Sequence, residues 1–400
     1  MANMTLDKIY HAAYTLKNVA RKTDLFRAPA MFPDNEVFLK TENLQVTGSF
    51  KIRGAYYKIS QLSDEQKQKG VIACSAGNHA QGVALAAQKN DIKSIICIPE
   101  GAPISKVEAT REYGAHVELV KGVYDDAYSR ALEIQKETGM EFIHPFNDEM
   151  VIAGQGTIGL EILDQLSDVD SVIVPIGGGG LISGVAFAIK SLKPECKIYG
   201  VQSQGAPSMF NSVRACRIET LENISTIADG IAVKTPGSVT FDLVSKYVDE
   251  IVTVNDDEVA AAILSMMEKQ KLVAEGAGAV SVAAAMFNKV PLKGKKTVCL
   301  ISGGNIDVTI LSRVISRGLL RSGRSAKFIL GLYDKPGQLE EVSRIIANTG
   351  GNVVSVHHDR AGEGRDLNSC SLSLEVETRN KEHINEIRKA LIDAGFCFEN

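Results

Sequence analysis

Over its first three hundred residues the chain alternates short apolar runs with longer stretches whose apolar positions recur at helical spacing. Runs 71–74, 94–98, 116–120 and 142–144 read as strands, and 79–89, 105–113 and 124–138 between them read as helices. Strand–helix units of this length predict a parallel, doubly wound sheet. Upstream, a polar helix within 1–21, a strand at 37–40, a polar loop at 41–48 and a helix at 52–62 are expected. Downstream come helix 156–166, strand 172–176, helix 181–192 and strand 198–201. A less regular region, 203–238, precedes strand 250–254, helices 256–268 and 278–288, and strand 297–301. Two α/β lobes follow from this order, the smaller at about 45–150 inserted in the larger, with a pocket between them.

Near Ser322-Gly323-Arg324-Ser325 the rhythm changes. Strand 328–333, the turn Asp334-Lys335-Pro336-Gly337, helix 339–349, strands 352–358 and 369–376, helix 381–394 and a short last strand spell βαββαβ, a ferredoxin-like module. Leu339, Val342, Ile345 and Ile346 give its first helix one apolar face, and Gly350-Gly351 ends it. The expected division is 1–325 and 326–400.

Composition narrows the class. A chain of 400 residues with a 44% hydrophobic fraction supports two or three globular domains. Forty-eight acidic and 44 basic residues, interspersed, give a net charge of −4 and no footprint for nucleic acid. The seven cysteines are scattered and form no C-x-x-C pair, which argues against a disulfide framework or a zinc knuckle and fits a reducing cytoplasm. The polar start, with no apolar core of signal-peptide length, predicts a protein that is not secreted. Residues 171–189 carry no charge, but Pro175 and four glycines interrupt them, so strand, turn and buried helix are expected rather than a membrane span.

Four segments carry candidate chemistry, each following an apolar run or a glycine turn. Lys51, within Ser49-Phe50-Lys51-Ile52-Arg53-Gly54, is the candidate covalent residue. Ser75-Ala76-Gly77-Asn78-His79, Gly177-Gly178-Gly179-Gly180-Leu181 and Ser302-Gly303-Gly304-Asn305 follow predicted strands. The tetraglycine turn offers backbone N–H groups with no side chain in the way, at the positive end of a helix, which suits a phosphate. A plain tight strand-to-helix turn accounts for the same glycines. The run does not fit G-x-G-x-x-G and lacks its acidic partner, which disfavours a nicotinamide cofactor.

In this order the segments resemble those of fold type II pyridoxal-phosphate enzymes, and among them the threonine dehydratases (threonine ammonia-lyases). The resemblance spans roughly residues 5–321 and includes Ala228-Asp229-Gly230 and Glu275-Gly276-Ala277-Gly278-Ala279. The tail resembles an ACT domain, an amino-acid-sensing module, through Asp334-x-Pro-Gly-x-Leu339.

The resemblance implies pyridoxal 5'-phosphate carried on Lys51, whose free amine then removes the substrate Cα proton. Phe50 packs near the cofactor, and Asn78 donates to its ring hydroxyl. Gly177, Gly178, Gly179, Gly180 and Leu181 receive its phosphate, and Ser302 faces the pyridine nitrogen. Ser75, Ala76, Gly77 and His79 form the loop that grips the substrate carboxylate. A neutral hydroxyl at the ring nitrogen withdraws less charge than a carboxylate would and favours β-elimination over transamination. Serine racemases share the scaffold but place a serine where this chain has Ala76, so elimination of L-threonine to 2-oxobutanoate and ammonia is expected, with L-serine also reacting. No metal ligand is assigned: Gln202 and Ser208 stand where a racemase-like divalent site would have acids. A monovalent cation stays open. Further expectations are an amino-acid effector at 334–339, a homodimer or homotetramer, and no nucleic-acid or membrane partner. A non-catalytic amino-acid sensor is the rival from another class.

Overall fold

A computed structural model describes residues 4–360 and 368–399. The chain divides into two compact units, Met1–Ile310 and Leu311–Asn400. That division falls inside helix Val308–Ser322, whereas the change of pattern near 322–325 marks the end of that helix.

The first unit holds two sheets. The larger has the order Leu25–Arg27, Glu36–Thr41, Lys296–Ile301, Ser171–Pro175, Lys197–Ser203, Glu250–Val254. All its pairings are parallel except that of the first two strands. Strand Ser171–Pro175 is buried throughout, as a strand covered by helices on both faces must be. The smaller sheet, His116–Val120, Ser94–Pro99, Val71–Cys74, Glu141–Phe142, is wholly parallel. Its core includes Ile52, Ile59, Val83, Ile96 and Ile98. Each such side chain contributes about 1.5–3 kcal/mol on burial.

Glycine-rich helices account for the main departures from the pattern. Helix Glu149–Gln165 begins well before residue 156, capped by Asp148, whose Oδ1 accepts from the Met150 N–H at 2.8 Å and the Val151 N–H at 3.1 Å. Its glycines permit contact rather than end it. A Cβ on Gly154 would lie 2.6 Å from the Arg53 carbonyl, and one on Gly54 would lie 2.6 Å from the Val151 carbonyl. Helix Lys51–Ser60, which carries Lys51, therefore rests backbone to backbone on Glu149–Gln165. Within the region expected to be irregular, Ser208–Ala215 is a helix. The uncharged stretch resolves into strand Ser171–Pro175, a glycine turn and helix Gly180–Leu192, and among the described residues no helix is long and apolar enough to cross a membrane.

The second unit has a four-stranded antiparallel sheet in the order Asn352–Asp359, Ser369–Glu377, Ser325–Tyr333, Cys397–Phe398. Numbered within the unit this is 2-3-1-4, the ferredoxin-like arrangement. Helices Gln338–Asn348 and Lys381–Asp393 supply Val342, Ile346, Ile387 and Leu391 to its core.

Candidate active site

The first unit gathers its chemistry at the carboxyl ends of strands. Strands Ser171–Pro175 and Lys296–Ile301 are neighbours, yet the first passes through its helix to Lys197–Ser203 on the far side. The crevice beyond the two is a topological switch point, where open α/β sheets bind ligands.

The tetraglycine turn opens there. A Cβ on Gly178 would enter the Phe146 ring, one on Gly180 would lie 2.9 Å from the Phe146 Cα, and one on Gly177 would lie 3.0 Å from the Ile231 Cα. Gly179 has φ +97, a left-handed backbone that other residues resist, and a Cβ there would meet Met209 and Thr240. The turn is clamped from below: the Thr240 hydroxyl donates to the Gly178 carbonyl at 2.6 Å. Helix Gly180–Leu192 starts at its end, and the first N–H groups of a helix have no acceptor one turn back. A bare backbone cradle at a helix N-terminus fits a phosphate.

Lys51 reaches the same place. Its Nζ donates to the Pro145 carbonyl at 2.8 Å and lies 5.3 Å from the centroid of the Phe50 ring. Pro145 immediately precedes the Phe146 that covers the glycine turn, so segment 144–147 sets the amine beside the phosphate cradle. His144 holds that segment, its Nδ1 accepting from the Phe146 N–H at 3.2 Å and the Asn147 N–H at 2.8 Å. Burial pulls the Lys51 amine down to about 8, against the opposing charge of Glu275. A lysine so placed is neutral far more often at physiological pH than an exposed one, as an amine nucleophile and base requires.

Three loops lock around it. The Phe50 N–H donates to the Ser302 carbonyl at 3.1 Å, the Gly304 N–H to the Gly48 carbonyl at 2.8 Å, and the Glu275 N–H to the Gly303 carbonyl at 3.1 Å. Asn78 Nδ2 donates to Glu275 Oε1 at 2.7 Å, while Asn78 Oδ1 accepts from Asn305 Nδ2 at 2.8 Å. Glu275 is buried, and burial followed by the charge of Asp229 raises its carboxyl to about 7. The Ser302 hydroxyl is buried and donates to the Ala277 carbonyl at 3.3 Å. The next helix begins only at Val308, so Ser302 does not cap it.

At Ser75–His79 the turn is half open. The Ser75 hydroxyl accepts from the Gly77 N–H at 3.1 Å, Gly77 has open space where a side chain would stand, and helix Asn78–Gln88 starts at the next residue. This is a second helix N-terminus facing the cleft, suited to a carboxylate. The His79 ring is buried and committed elsewhere, its Nε2 lying 2.8 Å from the Ile143 carbonyl. Burial, then the Lys51 charge, pushes that imidazole down to about 3, so it stays neutral. Only its backbone belongs to the turn.

Helix Lys51–Ser60 is anchored beneath by charge. Arg53, buried, reaches Glu42 through Nε and Nη2, each at 2.8 Å, and Glu161 through Nη1 at 2.6 Å. Lys40, also buried, donates to Glu161 Oε2 at 2.6 Å. Two carboxylates thus serve two buried cations. Burial disfavours the Arg53 charge, but Glu42 and Glu161 outweigh it and hold the guanidinium firmly protonated.

The structure thus brings Phe50, Lys51, Asn78, the glycine turn and Ser302 to one crevice. Pro145, Phe146, Glu275 and Asn305 also build it; sequence reasoning assigned none of them a role, although Glu275 and Asn305 lie inside motifs it had singled out. A family profile described as pyridoxal-phosphate dependent enzyme matches residues 16–304.

The chain belongs to the pyridoxal-phosphate dependent enzymes. An L-threonine ammonia-lyase of Thermotoga maritima is 53% identical over 395 residues, covering 98% of each chain. Among solved structures, maize serine racemase is 36% identical with a TM-score of 0.75, covering 80% of this chain and 99% of that one. The processed form of threonine deaminase isoform 2 from Solanum lycopersicum is 38% identical with a TM-score of 0.74, covering 78% and 94%. The cofactor of this enzyme is pyridoxal phosphate, and the lysine, glycine cradle and neutral serine described above fit it.

Proposed function

We propose that this enzyme is a threonine ammonia-lyase, converting L-threonine to 2-oxobutanoate and ammonia and, as a side activity, L-serine to pyruvate. The observation that carries the reading is the Lys51 amine, held at the Pro145 carbonyl beside the glycine turn that Phe146 covers. The near-full-length likeness to the Thermotoga maritima L-threonine ammonia-lyase supports the substrate.

The bound pyridoxal phosphate supplies an electron sink for the charge left at the substrate Cα when its proton departs. The chain's own residues do the rest. N–H groups at the start of helix Gly180–Leu192 and along the glycine turn seat the phosphate, with Leu181 closing the turn. The Ser75–Gly77 turn and the N-terminus of helix Asn78–Gln88 hold the substrate carboxylate and so orient the Cα–H bond. Lys51 Nζ, neutral in a larger fraction than an exposed lysine, accepts the Cα proton. Phe50 walls the pocket, Asn78, its amide held between Glu275 and Asn305, keeps one N–H for the ring hydroxyl, and Ser302 offers the ring nitrogen a neutral partner. Ala76 presents only a methyl group where racemisation would need a second acid–base hydroxyl, which favours elimination. The one methyl separating threonine from serine is worth about 1–3 kcal/mol, so discrimination between them is modest.

The second unit acts as an ACT module that takes a branched-chain amino acid at 334–339 and regulates a cytoplasmic homodimer or homotetramer. The turn at Asp334, fixed by its N–H donating to the Asn368 carbonyl at 2.9 Å, supports that placement. Keto-acid and ammonia release from both amino acids tests the catalytic reading. Release from both is expected; inversion of L-serine without ammonia would sink it. Isothermal calorimetry with isoleucine and valine tests the regulatory one, and absence of heat together with unchanged kinetics would remove it.

A further inference from the structure

The sheet of the second unit gathers three side chains of metal-ligating type that the sequence scatters over 36 positions. The ligand atoms of Asp334, His358 and Cys370 all lie within 4.8 Å of one another. They come from three adjoining strands or their ends. Cys370 stands opposite Leu332 on one neighbour, and His358 stands opposite Leu372 on the other. Opposed residues, and residues two apart on one strand, share a face, so His358, Leu372, Cys370 and Leu332 all face the same way. Asp334 follows directly on the end of strand Ser325–Tyr333 and completes the cluster at the margin of that face.

The environment is graded as a metal site requires. Cys370 is buried and forms the floor, while Asp334 and His358 are exposed and form the rim. Arg360 Nη2 lies 3.1 Å from Asp334 Oδ1, and the Asp334 N–H donates to the Asn368 carbonyl at 2.9 Å, so both the carboxylate and its backbone are oriented from outside the cluster.

We propose that Asp334, His358 and Cys370 form a site for a borderline-soft divalent ion of the Zn²⁺ type. Thiolate, imidazole and carboxylate are the donor set that such ions select over Mg²⁺ or Ca²⁺, and thiolate with carboxylate supplies two negative charges, the second shared with Arg360. Ligand atoms around tetrahedral Zn²⁺ stand roughly 3.5 Å apart, so closing the cluster needs side-chain movements of about 1 Å. Three protein ligands leave the fourth position open to water or to a small ligand's amine or carboxylate. Binding releases the Cys370 thiol proton, so occupancy rises with pH. The site is independent of the catalytic reading, since every residue in it belongs to the second unit.

The test uses the full-length, chelator-treated holoenzyme titrated with Co²⁺ and then Zn²⁺. One equivalent of Co²⁺ is expected to bring up a thiolate-to-cobalt charge-transfer band and tetrahedral d–d bands, which Zn²⁺ bleaches. Cys370→Ser should abolish the charge-transfer band, and His358→Gln should weaken binding by roughly tenfold or more. Cys216→Ser and Cys397→Ser, at the two exposed cysteines, should leave the titration unchanged. Because His358 is exposed, its substitution decides the matter even where Cys370→Ser fails to fold. Absence of the band at one equivalent, or unaltered affinity in His358→Gln, overturns the proposal.

Discussion

Asn78 Nδ2 donates to Glu275 Oε1 at 2.7 Å, joining the first residue of helix Asn78–Gln88 to the residue just before helix Gly276–Met286. One partner belongs to the smaller lobe and the other to the larger, so the bond closes the floor of the crevice. The Glu275 charge also props up the Lys51 amine, which burial would otherwise lower further. Glu275→Gln keeps the acceptor for Asn78 and removes that charge. The pH at which cofactor-stripped protein begins to recapture pyridoxal phosphate should therefore move downward. An unchanged profile, followed by absorbance, would separate Glu275 from Lys51 electrostatically.

In the unsubstituted enzyme the same experiment reads Lys51 itself. Only the neutral amine captures the cofactor, and with the amine at about 8 instead of 10.5 the recapture rate should rise to about pH 8 and then level off. A rate still climbing near 10.5 would show an ordinary lysine. The linkage has a definite sign: between about 8 and 10.5 the unfolded chain holds a proton that the folded one has released, so this group's contribution to stability grows with pH across that window.

Gly178→Ala tests the phosphate cradle. The added Cβ lands on the Phe146 ring, so ring and turn must separate, and cofactor affinity should fall by about tenfold or more, ~1.4 kcal/mol. Gly101→Ala, where a Cβ meets nothing within 4 Å, is the matched control and should leave affinity intact. Fluorescence titration with pyridoxal phosphate distinguishes the two.

Arg53→Met tests the support beneath Lys51. It strands Glu42, whose side chain is fully buried, and takes a partner from Glu161, at a cost of about 3–5 kcal/mol. Urea unfolding monitored by cofactor fluorescence should show the loss, and Arg53→Lys should recover only part of it because one ammonium cannot reproduce the two-pronged contact. Equal midpoints for Arg53→Met and the parent would refute this account of the network.

Ala76→Ser introduces a hydroxyl into the half-open turn between Ser75 and Gly77. Chiral chromatography of the L-serine reaction should then detect D-serine that the parent enzyme does not form. If parent and variant invert serine equally, Ala76 is not what directs the reaction to elimination.

Much of this protein was readable before any coordinates. A strand buried on both faces is written as an unbroken apolar run, so 71–74 was placed to the residue; 116–120, a half-exposed edge strand, was placed to the residue by its position in the strand–helix alternation. The tail's order of elements specified its ferredoxin-like module, whose first strand, Ser325–Tyr333, buries every second residue as a sheet covered on one face does. Glycine misled the reading where it serves contact between helices: Gly154 and Gly156 disguised the first half of helix Glu149–Gln165, because close approach of two backbones leaves no signature in either segment alone.

The chemistry divides along a similar line. Lys51, the glycine turn and Ser302 stand directly after the strands or turns that present them, so local order revealed them. Pro145 is bonded to a lysine 94 positions away, Asn78 to a carboxylate 197 away and to an amide 227 away. What such residues do is decided by whatever folding sets against them, which is why the neighbours of Lys51, its altered basicity and the clustering of Asp334, His358 and Cys370 belong to the tertiary structure alone.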